Sequence, residues 1–202
     1  MDLEATKVAQ LTGISRRTVN RYFHLLRVRI AAACEAQGTF AGTIEVDESY
    51  FGPRRVRGKC GRGASRKTIV FGIFKRNGTV YTQIIPNARK RTIQPIICGK
   101  VRRGSTVHSD GWHAYDGLAT VGYPKHHRVI HRGWVLVDRR RGHHINGIES
   151  FWATAKTRLA RRRGIRLPYL RLHLKECEFR FNHRRENLYR ILLGLLKTPP
   201  LK

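Results

Sequence analysis

TIEVDESYF, at residues 43–51, alternates between the two faces of a predicted β-strand. Glu45, Asp47 and Ser49 fall on one face, and the residues between them fall on the other. The apolar members of the run predict that this strand is buried and central in its sheet. Because a carboxylate is costly to bury unless it meets a cation, Asp47 is the first candidate for a residue with a chemical function.

Segments with strand and helix patterns follow on both sides of this run. Four have the β-branched residues and turn boundaries of strands: residues 68–75, 79–85, 105–109 and 125–131. Four have the apolar spacing of helices: residues 92–101, 114–121, 146–163 and 168–196. This order predicts an α/β fold with a five-stranded mixed sheet and helices on both faces.

The first 38 residues have a different pattern. They predict two helices separated by a turn at residues 13–15, with Ser15 as the N-cap of the second helix. We interpret residues 1–38 as a helix-turn-helix-like DNA-binding segment, and a helical pair used only for packing is the alternative. The side chains expected to contact DNA lie at the start of the second helix: Arg16, Arg17, Asn20 and Arg21.

The charge of the chain predicts a polyanionic partner. Lys and Arg number 41 against 13 acids, which gives a formal net charge of +28. DNA or RNA is the simplest partner, because neutralised phosphates release counterions. A membrane surface is less suitable, since the cations are spread through the chain instead of lining one helix.

Residues 54–67 contain seven cations and no acid. This pattern predicts a basic loop at a nucleic-acid surface, and a merely solvated loop is the alternative. The seven cations are Arg54, Arg55, Arg57, Lys59, Arg62, Arg66 and Lys67.

Other features of the composition bear on the compartment. No apolar run approaches the roughly 18 residues of a transmembrane helix. The four cysteines are far apart and without a CxxC pair, which predicts free thiols and no cysteine zinc module. We therefore expect a cytoplasmic, nucleoid-associated protein that does not enter membranes.

Two further acids occupy positions suited to chemistry. Asp110 follows a predicted strand at its carboxyl end, where sheets commonly bind ligands, although an Asx turn is the alternative. Glu149 begins a predicted helix, where a capping box with Asn146 is the alternative. Lys156 follows on the same helical face, placed to hold a phosphate. Gathered at strand ends and a helix start, three carboxylates could bridge two Mg²⁺ ions.

Five motifs in this order resemble the DDE transposases, which have an RNase H-like fold, and most closely the ISXO2-like insertion-sequence group. The resemblance covers roughly residues 42–185. Its motifs are EVDESYFG at 45–52, the basic loop through Gly63, HSDG at 108–111, NGIESFW at 146–152 with Lys156, and FRFNHR at 179–184.

The resemblance implies that Asp47, Asp110 and Glu149 are the catalytic acids and bind two Mg²⁺ or Mn²⁺ ions. Lys156 falls where many such enzymes carry a basic residue that contacts DNA. Asn146 and His108, within the motifs, are expected to support the acids through hydrogen bonds. The implied reaction cleaves the double-stranded DNA ends of an insertion sequence and transfers them to target DNA. Because two ends are processed symmetrically, we expect a homodimer or a larger assembly.

With this resemblance, residues 39–197 are the predicted RNase H-like DDE catalytic domain, and residues 198–202 form a tail. The cysteine-rich zinc ribbon often found ahead of the helix-turn-helix is missing, which predicts an N-terminal truncation. Two alternatives stay open. One is an inactive, truncated copy that only binds DNA, and the other is a host nuclease of the same fold, such as a junction resolvase.

Overall fold

The structure is a computed structural model that describes residues 3–52, 67–129, 144–162 and 165–197. The chain divides into two compact units. Residues Gly38–Ile165 form one, here called the sheet unit. Residues up to Gln37, together with those from Arg166 onward, form the other, here called the helical unit.

A five-stranded mixed sheet forms the sheet unit, in the order β3-β2-β1-β4-β5. The central strand β1 pairs antiparallel with β2 and parallel with β4. The outer pairs are antiparallel β2–β3 and parallel β4–β5. The predicted RNase H-like α/β architecture is thereby confirmed. The strands are β1 Thr43–Phe51, β2 Thr68–Lys75, β3 Val80–Ile85, β4 Thr106–Asp110 and β5 His126–Val129.

Helices α3 (Lys90–Lys100) and α4 (Asn146–Ala160) cover opposite faces of this sheet. Buried apolar side chains of β1, β4 and α3 form the main core on one face. The helix predicted at 114–121 is wrong. Two 3-10 turns, His113–Tyr115 and Ala119–Val121, take its place. Gly117 lies between them with a φ of 80°, a conformation that ends a right-handed helix.

The helical unit contains the predicted N-terminal pair, α1 (Ala5–Thr12) and α2 (Arg16–Glu35). Ser15 caps α2 as predicted, since its Oγ accepts a hydrogen bond from the Thr18 amide at 3.1 Å. Helices α5 (Leu167–Asn182) and α6 (Leu188–Lys197) complete the unit.

The single helix predicted at 168–196 is therefore wrong, because the chain breaks between α5 and α6. Asn187 immediately precedes α6, and its Oδ1 accepts hydrogen bonds from the amides of Tyr189 and Arg190. The catalytic domain of residues 39–197 stays a prediction, and the compact units divide the chain at other positions. Helices α5 and α6 group with α2 because Ile30, Cys34 and Phe179 form a shared core.

In the described part of the chain, no helix combines the length and apolarity needed to span a membrane.

A buried ion pair lies inside the helical unit. The Nζ of Lys175 contacts both carboxylate oxygens of Glu178, at 3.1 and 2.9 Å. Their side chains are 4% and 0% exposed. A pair so deeply buried depends on the charge of both partners, since removing one leaves the other poorly solvated.

We predict that Glu178→Gln lowers the free energy of unfolding by about 3–5 kcal/mol, because it removes the charge opposite Lys175. Denaturant unfolding measures the loss. The matched control is Glu35→Gln, whose ion pair with Arg171 is half-exposed. We expect it to cost less than about 1 kcal/mol. Equal losses in the two variants would contradict the prediction.

Candidate metal centre

Parallel pairing of β1 with β4 brings two of the predicted acids together. Glu45 pairs with His108, so Asp47 and Asp110, each two residues further on, extend the same register. One carboxylate oxygen each from Asp47, Asp110 and Glu48 lies within 4.8 Å of the other two. The sequence interpretation did not include Glu48 among the site residues. All three side chains are partly buried.

Asp47 is held by an indole from α4. Its Oδ2 accepts a hydrogen bond from Trp152 Nε1 at 3.1 Å. The residue paired with Asp47 on β2 is Gly72, and a Cβ there would come within 2.5 Å of the Trp152 ring. A glycine is thus required for the indole to reach the carboxylate. Burial, followed by the charge of Asp110, raises the pKa of Asp47 to about 7.

Asp110 lies at the end of β4 and forms the Asx turn considered as its alternative role. Its Oδ1 accepts a hydrogen bond from the Trp112 amide at 2.9 Å. The turn and the acidic cluster are not exclusive, because the turn fixes one carboxylate oxygen and thereby orients the group. Trp112 is held in turn by a 3.0 Å hydrogen bond from its Nε1 to the carbonyl of Ala88.

Glu48 points from the opposite face of β1, beside the buried hydroxyl of Tyr115. Burial raises the pKa of Glu48 to about 7, and the Tyr115 hydroxyl opposes this rise. Within the described residues, its buried Oε1 has no hydrogen-bond partner. The sequence contained a signal for this residue. The alternation that made Asp47 notable also places Glu48 on the apolar face, where a carboxylate needs a partner just as much.

Glu149 lies in the first turn of α4 and is exposed. It is outside the group of three, but its charge contributes to the raised pKa of Asp47. The capping box with Asn146 is not formed. The N-cap residue of α4 is Ile145, and no side chain caps the helix from that position. The helix start is stabilised from β1 instead, through Glu45.

Glu45 anchors α4 to the sheet. Its side chain is 0% exposed, and its Oε2 accepts a hydrogen bond from the Ile148 amide at 3.0 Å. Its Oε1 pairs with Arg76 Nε at 2.8 Å and lies 3.4 Å from His144 Nδ1. Arg76 also donates to the His144 carbonyl at 2.6 Å. The sequence interpretation missed this network, which places the first turn of α4 beside Asp47.

The remaining predicted site residues lie in several places. Lys156 is exposed on α4, with its Nζ 6.0 Å from the Phe51 ring centroid. His108 is buried, with its ring 5.2 Å from that of His127. Exposed positions are occupied by Asn146, Lys67, Arg16, Arg17, Asn20 and Arg21, the last four on α2 of the helical unit. Predicted DNA contacts outside the described residues are Arg54, Arg55, Arg57, Lys59, Arg62 and Arg66.

The donor set fits a hard divalent cation. Mg²⁺ and Mn²⁺ prefer carboxylate oxygens, and three such groups converge here while Glu48 keeps a buried oxygen without a hydrogen bond in the described structure. Carboxylates that repel one another would be stabilised by a cation placed among them. Asp47, Asp110 and Glu48 could therefore hold a metal ion, with Glu149 nearby.

Comparison with known proteins identifies a matching family and a related protein. The model of the ISXO2-like transposase domain matches residues 39–182. A Haemophilus influenzae protein described as an uncharacterized transposase-like protein is 38% identical over 104 residues. That alignment covers 52% of this chain and 81% of the relative.

We predict that Asp47→Asn raises the thermal unfolding midpoint of the metal-free protein, by an amount equivalent to about 1 kcal/mol. The amide removes a charge that Asp110 repels and keeps an oxygen for Trp152. Calorimetry with and without Mn²⁺ tests this, and Mn²⁺ should stabilise the parent protein more than the variant. Asp116→Asn, which removes an exposed partner of Arg128, is the control. A lower midpoint in metal-free Asp47→Asn would count against repulsion in the cluster.

We also predict that Gly147→Ala destabilises the fold by about 1–3 kcal/mol, since its Cβ would overlap the Phe74 ring and lie 2.9 Å from Glu45 Oε2. The start of α4 must move away from β1 and β2, which should also weaken Mn²⁺ binding. Denaturant unfolding and Mn²⁺ titration measure the two effects. Gly99→Ala in α3, where a Cβ has nothing within 4 Å, is the control and should be neutral or stabilising.

Proposed function

The chain belongs to the ISXO2-like transposase family, and from this premise we propose that it is the transposase of an insertion sequence. In this proposal it cleaves the ends of the element and transfers them to target DNA in a metal-dependent reaction. The observation that carries the proposal is the convergence of the Asp47, Glu48 and Asp110 carboxylates within 4.8 Å. Converging acids of this kind suit phosphoryl transfer assisted by divalent ions.

Asp47, Asp110 and Glu149 are the proposed catalytic acids and would hold Mg²⁺ or Mn²⁺, two ions in all, with Glu48 as an additional ligand. When bound, such ions supply Lewis acidity that activates the attacking oxygen and neutralises charge on the phosphodiester. The protein contributes the orientation of its acids. Trp152 Nε1 orients Asp47, and the Trp112 amide orients Asp110. His108 on β4 and Asn146, the first residue of α4, are proposed to support the cluster through hydrogen bonds.

Double-stranded DNA is the proposed partner, and the net charge of +28 favours binding to its phosphates. Lys156 lies two helical turns from Glu149 on α4, so it could hold a backbone phosphate near the acids. The exposed side chains at the start of α2 are proposed to read the element ends. Because an element has two ends, we propose that at least a homodimer acts on DNA.

The test is strand cleavage of supercoiled element DNA in the presence of Mg²⁺. We predict that Asp110→Asn lowers the cleavage rate by more than about 100-fold, because an amide is a poor ligand for a hard cation. Its affinity for DNA should be unchanged or slightly higher, since the substitution removes a negative charge. Asp116→Asn, whose partner is the exposed Arg128, is the matched control and should cleave normally.

Other outcomes would identify the alternative functions. Full activity of Asp110→Asn would show that the acidic cluster is not the active site. Tight DNA binding by the parent protein without any cleavage would favour an inactive DNA-binding copy. Cleavage of branched DNA regardless of the end sequence would favour a nuclease such as a junction resolvase.

A further inference from the structure

A chain of hydrogen bonds reaches Asp110 from the side of the sheet that its carboxylate does not occupy. Ser109 Oγ lies 2.8 Å from the carbonyl oxygen of Asp110 and 2.9 Å from Nε2 of His126 on β5. Ser109 is 0% exposed, and His126 is partly buried. The mechanism proposed above does not use either side chain.

The direction of these hydrogen bonds follows from proton counting. A serine hydroxyl carries one proton, and a carbonyl oxygen can only accept. Ser109 therefore donates to the Asp110 carbonyl, and its oxygen accepts from the N–H at His126 Nε2. The charged imidazole carries a proton on Nε2, and the neutral imidazole makes the same hydrogen bond when its single proton is on Nε2. The chain of hydrogen bonds can therefore form in either charge state.

The position of these hydrogen bonds indicates that they fix the backbone at Asp110. Strand β4 ends at Asp110, so beyond this residue the sheet no longer fixes the direction of the backbone. The Ser109 hydroxyl donates a hydrogen bond to the peptide carbonyl of Asp110. The Trp112 amide donates a hydrogen bond to the side-chain carboxylate of Asp110. Together they fix the backbone and the side chain of one acid in the cluster.

We propose that Ser109 and His126 are positioning residues, which set the Asp110 carboxylate for metal binding through the Asp110 backbone. This inference rests on the proposed function, because it assumes that Asp110 is a metal ligand. Outer groups that orient metal ligands typically change affinity by about 10- to 100-fold when they are removed.

The experiment is calorimetric titration of the full chain with Mn²⁺, together with thermal unfolding and the cleavage assay. We expect Ser109→Ala and His126→Leu each to weaken Mn²⁺ binding about tenfold. The double variant should bind Mn²⁺ no more weakly than Ser109→Ala alone, because both changes break the same chain of hydrogen bonds. His126→Gln keeps an N–H donor at a similar reach and should bind Mn²⁺ almost normally.

Each remaining result has a defined meaning. Unchanged Mn²⁺ affinity in both single variants, or losses that add in the double variant, would overturn the proposal. So would unfolding midpoints that fall while Mn²⁺ affinity does not, which is the result of a purely structural role. Mn²⁺ binding without DNA cleavage by the parent protein would contradict the proposed function alone. An absence of Mn²⁺ binding by the parent protein would overturn both.

Discussion

The buried carboxylate of Glu45 is the constraint on which the arrangement of the acids depends. It is fully buried in the central strand, and its two oxygens are used in different directions. One pairs with Arg76, and the other accepts the amide of Ile148 at the start of α4. A buried charge must keep such partners, because losing one costs several kcal/mol. The strand therefore fixes the helix end that carries Glu149, and the same helix brings Trp152 to Asp47.

Two glycines make this close approach possible. Gly147 lets the start of α4 lie against Phe74 and Glu45, and Gly72 leaves room for the Trp152 ring. A side chain at either position would overlap the facing residues and push the helix away from the sheet. The motif residues around Glu149 thus have a packing reason as well as a chemical one. One interface between β1, β2 and α4 therefore caps the helix, packs the Trp152 ring and positions the acids.

Residue patterns were sufficient for the sheet but not for all of the site. Alternation identified the faces of β1, and the position of Asp110 at a strand end predicted its meeting with Asp47. Glu48 was missed because alternation assigns a face and says nothing about how far a long side chain reaches. Glu45 was missed because its partners, Arg76 and Ile148, are distant in sequence. The break between α5 and α6 had a local signal, since Asn187 precedes an apolar run as an N-cap does.

Six buried or partly buried acids in the described part of the chain fall into two electrostatic classes. Glu45 meets Arg76, Glu176 meets Arg27 and Arg180, and Glu178 meets Lys175. Each of these carboxylates is stabilised by a cation of the protein itself.

Asp47, Glu48 and Asp110 instead lie close to one another, and their mutual repulsion adds to the effect of burial on the pKa of Asp47 and Glu48. Such an arrangement costs folding free energy in a metal-free protein. A divalent cation among the three would convert that repulsion into binding energy, which is the physical reason to place a metal ion here and not at the paired acids.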